Sequence, residues 1–199
     1  MFSFGKFNIF NISTNQRCLC NIHVEEGKTK IGGINTVVEI DETLFSKRKN
    51  NQGRILKQYW IFGGICRETN DIFLEQIPDR KKETLFQSIL INIQFGTTII
   101  SDKWSGYKII LKQPNPQPYI HFSVNHKENF IDPITKANTQ KCERMWRDVK
   151  TKKNIMQGIP QKDIDPYIIE YSWRRKAKNL KNDKFLSTID FLSTISFEK

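Results

Sequence analysis

Two aspartates and a glutamate stand where they could share bound cations. Asp41 follows the β-branched run TVVEI and Asp102 follows TTIIS, so each falls at the end of a segment that reads as a buried strand. Open α/β sheets place their ligands in the crevice outside such strand ends. Glu143 comes 41 positions after Asp102, in CERMWRDVK, which reads as a helix. Three carboxylates converging from two strands and a helix could hold two Mg2+ (or Mn2+) ions about 3.5–4 Å apart, the arrangement used for in-line phosphoryl transfer. Hard, octahedral Mg2+ takes oxygen ligands, so the lack of a cysteine–histidine cage does not count against it. Lys150, seven residues after Glu143, lies two helical turns on and on the same face, within reach of a phosphate beside the ions. A carboxylate taken alone is more often a turn cap or a solvated group. The three positions together point to chemistry.

The elements that must carry these side chains are readable in outline. Residues 36–40, 58–66 (QYWIFGGIC) and 72–77 (IFLEQI) read as three consecutive strands, with RETND as a hairpin turn. In KKETLFQSILINIQF, Leu85, Ile89 and Ile93 recur at helical spacing with Phe86 and Leu90 beside them, and Gly96 is the expected helix stop. TTII (97–100) reads as a fourth strand ending at Asp102, KWSGYKIILKQ as a short helix and IHFSV (120–124) as a fifth strand. Asn138 or Thr139 is placed to cap the helix that carries Glu143. Its apolar side is Cys142, Trp146 and Val149, and its basic side is Arg144, Arg147, Lys152 and Lys153. A last helix covers DIDPYIIEYSWRRKAKN. A three-strand meander followed by crossovers gives a mixed five-stranded α/β sheet flanked by helices, the order of the RNase H-like fold.

Composition narrows the partner. The 199 residues carry 32 Lys and Arg against 21 Asp and Glu. The first hundred residues hold 13 basic and 10 acidic side chains, the remainder 19 and 11. Positive charge gathered in one part of a chain is the footprint of phosphate-backbone binding. At 38% hydrophobic and 12% aromatic residues the chain is too apolar for disorder. No apolar run approaches the ~20 residues of a membrane span, and the N-terminus lacks the pattern of a secretory signal. Four cysteines are too few and too scattered for a disulfide framework. Cys66 and Cys142 read as core residues.

A family resemblance rests on long motifs in fixed order: KIGG…VVEIDETLFSKRKNNQGR, WIFGGICRET, TTIISDKWSGY, VNHKENFIDPITKANTQKCERMWRDVK and WRRK. From about Lys30 to Lys178 the chain resembles the DDE transposases of the ISXO-like insertion sequences and their Merlin-type relatives. The resemblance implies a catalytic domain over residues 35–178 with Asp41, Asp102 and Glu143 as its metal-binding triad and Lys150 as the associated lysine. It implies metal-dependent nicking at transposon ends and transfer of the 3′-hydroxyl into target DNA. It also implies DNA-bound dimers or multimers. The basic C-terminal segment is expected to direct nuclear entry in a eukaryote, and the protein is expected in the cytoplasm of a bacterium. Such transposases carry a DNA-recognition module ahead of the catalytic domain. Here about 30 residues precede KIGG. Residues 1–34 are therefore expected to be a remnant, and residues 179–199, with FLSTID repeated as FLSTIS, an appendage. The alternatives are a DNA-binding module that has lost activity and a metal-dependent nuclease that does not transpose.

The remaining basic clusters extend the expected DNA surface: Lys47, Arg48, Lys49 and Arg54 in a turn after the first aspartate, Lys153 on the glutamate's helix, and Arg174 and Arg175 beside a core Trp173. Cys18, Cys20 and His23 lack a second ligand pair, so no zinc is expected. Gly27-Lys28-Thr29 lacks the earlier glycine of a phosphate-binding loop, where Ile22 stands. His121, His126 and Asn129 are the runner-up nuclease set. His126 and Asn129 also match the family's loop before the glutamate helix.

Overall fold

The computed structural model describes residues 29–45, 58–112, 118–125, 137–155 and 163–179. Five strands form one sheet: β1 (Val37–Leu44), β2 (Trp60–Cys66), β3 (Ile72–Ile77), β4 (Thr98–Asp102) and β5 (Ile120–Val124). Among the described residues, three α-helices complete the order: α1 (Lys82–Asn92) after β3, then α2 (Gln140–Ile155) and α3 (Ile164–Asn179) after β5. A 3-10 helix, Ser105–Lys112, joins β4 to β5.

The strand order is β3-β2-β1-β4-β5. β2 is antiparallel to β1 and β3, while β1–β4 and β4–β5 are parallel. The chain lays down the meander on one side of β1, then crosses over and extends the sheet on the other. The order of addition thus reverses between β1 and β4. This is the expected RNase H-like fold.

Alternation along the strands divides the core in two. Val38, Ile40, Phe62, Phe73, Ile77 and Ile99 face α1 and the 3-10 helix, meeting Leu85, Phe86, Ile89 and Tyr107. Ile61 and Ile65 face the other way, against Cys142, Met145, Trp146 and Val149 of α2 and Ile164, Tyr167, Ile168 and Tyr171 of α3. Cys66 and Cys142 are both free and buried, as the sequence predicts. Gly63 permits the close approach of α2. A Cβ there would lie 2.6 Å from Leu74 and 2.9 Å from the Trp146 ring.

Two boundaries differ from the sequence reading because of a distant partner, and one helix differs in type. β1 does not stop at Asp41 but runs on to Leu44, because its ladder with β2 continues to Leu44↔Trp60. α1 ends at Asn92 rather than at Gly96: the Asn92 carbonyl accepts from Ile31 N at 2.8 Å, and Ile93 bridges to Ile31. Gly96, with φ +85°, serves the turn into β4 instead. The short helix after Asp102 is 3-10, at eight residues long for its kind.

Candidate active site

β1 and β4 are paired through Glu39↔Ile100. Asp41 and Asp102 stand two residues beyond that pair on each strand, keeping its offset, so both belong to the sheet face that carries Glu39. The strand order reverses between these two strands, which makes this the crevice where such sheets bind ligands. α2 packs over β1 and β2 on the same face and brings Glu143 in its first turn.

The Asp41 carboxyl feels the charge of its neighbours. The Asp41 carboxyl is pushed up from 3.8 to about 7, first by burial, then by the negative charges of Glu42 and Asp102, with a smaller contribution from Glu143. A backbone hydrogen bond partly opposes the rise. Asp41 is half-buried and Glu143 is exposed. Asp102 Oδ1 accepts Trp104 N–H at 3.0 Å, a local turn that fixes its orientation. Among the described residues, no three His, Cys, Asp or Glu side chains gather tightly enough to clasp a single ion. The donor set is nonetheless all oxygen and carries surplus negative charge. That suits a hard divalent cation, which binds through one or two carboxylates and keeps several waters.

α2 turns Cys142, Met145, Trp146 and Val149 inward and leaves Glu143, Arg144 and Arg147 exposed, with Lys150 half-buried. Glu143, Arg147 and Lys150 follow i, i+4, i+7 spacing and share one face. Trp173 is buried, as expected. Arg174 is paired to Glu170 at 2.8 Å, and Arg175 lies 4.0 Å from Asp148 of α2. The charge of Arg174 is therefore part-neutralised within α3, and that of Arg175 across to α2. Lys47, Arg48, Lys49, Arg54, His126, Asn129, Cys18, Cys20, His23 and the repeated tail lie outside the described residues. So does the side chain of Lys153.

His121 does not join the carboxylates. Its Nε2 lies 2.9 Å from Ser101 Oγ, which itself donates to the Asp102 carbonyl at 2.7 Å. Ser101 and His121 belong to the face opposite Asp102, and burial pushes His121 down to about 4, so it is neutral near pH 7. Beneath the site, Glu42 is held by Arg80 and by the Tyr107 hydroxyl. The Arg80 guanidinium sits between Trp60 and Trp104, 4.7 and 4.8 Å from their ring centres.

Sequence reasoning missed Glu39, Arg67 and Gly63. Glu39 is fully buried, with Arg67 Nε at 2.7 Å and Cys142 N–H at 2.9 Å. The signal was present: a glutamate inside an apolar run needs a cation or several donors to stay there. Its partners lie 28 and 103 positions away and could not be identified from spacing.

No helix among the described residues is long and apolar enough to cross a membrane. An uncharacterized transposase-like protein of Haemophilus influenzae is 20% identical over 111 residues, covering 56% of this chain and 85% of its own. The HTLV-2 integrase catalytic core domain in complex with magnesium superposes with a TM-score of 0.46 at 13% identity, over 70% of this chain and 85% of that one. The BIV integrase catalytic core gives 0.44 at 12% identity, over 69% and 80%. The ISXO2-like transposase domain matches residues 32–176, from the glycine turn before β1 to the basic end of α3. On that match, which spans well over half its length, the chain belongs to the ISXO2-like transposase family.

Proposed function

We propose that the chain is a metal-dependent DNA-cleaving and strand-transferring enzyme, with Asp41, Asp102 and Glu143 as the ligands of Mg2+ or Mn2+. One observation carries this reading: the β1–β4 register puts Asp41 and Asp102 on one sheet face where the strand order reverses, and α2, with Glu143 in its first turn, packs over that face. The cations, when bound, supply Lewis acidity and offset negative charge on the reacting phosphate.

The chain's own groups do the rest. Asp41 and Asp102 are fixed on adjacent parallel strands, which sets the separation of their carboxyls without a conformational search. Glu143, exposed on the first turn of α2, closes the crevice from the helix side. Lys150, two turns on, faces the phosphate and neutralises charge that builds on its oxygens. Arg144 and Arg147 hold the backbone without reading sequence. Water attack at phosphorus breaks the P–O3′ bond and leaves a 3′-hydroxyl. That hydroxyl then attacks a target phosphodiester, exchanging one P–O bond for another.

A second reading, a DNA-binding module without catalysis, is favoured by the absence of a closed three-ligand cluster among the described residues. Nicking of supercoiled plasmid separates the two. The enzyme reading expects Mg2+- or Mn2+-dependent open circles from the 199-residue chain and none from Asp102→Asn. Equal DNA retention by both proteins with cleavage by neither upholds the binding module.

A further inference from the structure

We propose that Glu39 and Arg67 are positioning residues that set where Glu143 stands relative to Asp41; this rests on the metal-dependent reading above. Glu39 lies on β1 two residues before Asp41 and on the same face, with no exposed surface. A carboxylate that buried must use its lone pairs within the protein. Oε1 accepts from Arg67 Nε at 2.7 Å, and Oε2 accepts the backbone N–H of Cys142 at 2.9 Å.

The second bond has an unusual origin. Cys142 N–H belongs to the first turn of α2, whose amides have no acceptor within the helix. A side chain at the residue before the helix normally takes such an amide. Thr139 occupies that place, and its hydroxyl donates to Glu143 Oε1 at 3.4 Å. The strand thus takes a first-turn amide of α2, which ties the start of the helix to β1 as well as to its own preceding loop.

Arg67 completes the clamp from the turn after β2. Its Nη2 donates to the Asn138 carbonyl at 2.8 Å, and its own carbonyl accepts Lys141 Nζ at 2.6 Å. Asn138, Lys141 and Cys142, all within five residues before Glu143, are thereby tied to the sheet. An apolar pair could fill this space with equal or better stability, since a buried ion pair recovers little beyond its desolvation cost. What the ion pair adds is direction. It fixes both the height and the rotation of the helix turn that presents Glu143.

Three measurements on the full chain test this: amide exchange at Cys142 and Glu143, Mn2+ affinity, and plasmid nicking with kcat and KM separated. In Glu39→Gln we expect faster exchange at both amides, Mn2+ binding at least tenfold weaker and kcat at least tenfold lower, with KM for DNA unchanged. Arg67→Lys, which retains the charge but loses the arm to Asn138, should move the same quantities less. The double variant Glu39→Leu/Arg67→Met leaves no unpaired charge, and we expect it to fold while matching Glu39→Gln in metal affinity and kcat. Folded variants with wild-type Mn2+ affinity and wild-type kcat overturn the proposal and leave the nuclease reading intact. A wild-type chain whose Mn2+ affinity depends on Glu39 but which nicks no DNA upholds the clamp and refutes the nuclease. Should Glu39→Gln fail to fold, Arg67→Lys and the double variant decide alone, and wild-type behaviour in both refutes the proposal.

Discussion

Asp41→Asn keeps the shape of the side chain and removes its charge, so it isolates the electrostatic cost of the site. The Asp41 carboxyl sits at about 7 in the folded chain against 3.8 for the free side chain, through burial first and then Glu42, Asp102 and Glu143. An acid whose folded pKa exceeds its unfolded value favours folding fully only below the unfolded value. That contribution is lost as pH rises from near 4 through 7. A gap of about three pKa units corresponds to a ceiling of roughly 4 kcal/mol at pH 8. Asp41 is half-buried, and water on its open side halves this to about 2 kcal/mol. For a chain of this size that is a rise in Tm of about 4–8 °C. Thermal melting in EDTA should therefore show Asp41→Asn above wild type at pH 8, with the gain fading by pH 4, where wild type is itself protonated. Millimolar Mg2+ should raise wild type and narrow the gap at pH 8, while the variant loses nicking activity. No gain at pH 8, or one equally large at pH 4, refutes the claim that the carboxylates share a field.

Gly63→Ala places a Cβ 2.6 Å from Leu74 and 2.9 Å from Trp146, so α2 must lift; a loss of about 1–3 kcal/mol is expected in urea denaturation, and wild-type stability contradicts the packing. Glu42→Gln weakens the hold on Arg80 and Tyr107 and should cost about 2–3 kcal/mol, the low end for a broken buried pair because the Arg80 side chain is 37% exposed. A melting curve that overlays wild type would argue against that network. Arg144→Ala and Arg147→Ala should each weaken binding to unrelated DNA sequences alike and reduce the slope of log K against log salt by about one. An unchanged slope takes α2 off the DNA surface.

The strand order was legible because β-branched runs such as VVEI and TTII bury on both faces and have few other uses in a chain of this charge. Asp102 falls at the end of β4 because Asp-Lys-Trp-Ser breaks the ladder locally, through the Asp102–Trp104 turn. The end of β1 was not legible, since only the antiparallel ladder to Trp60 carries it past Asp41. For the same reason α1 was read too long: its stop depends on Ile31, more than 60 residues upstream of Asn92. The three carboxylates could be named from their places in the strand–helix order. The groups that hold them could not. Glu39 looks like the solvent-facing member of an alternating strand until α2 covers it, and Gly63 looks like a flaw in β2 until Trp146 is packed against it.

The central claim is tested most directly by soaking crystals of the chain, with DNA, in Mn2+ and mapping the anomalous scattering. The account predicts density bounded by the carboxyl oxygens of Asp41, Asp102 and Glu143. Saturating Mn2+ that scatters elsewhere, with none of these oxygens in its coordination sphere, contradicts it.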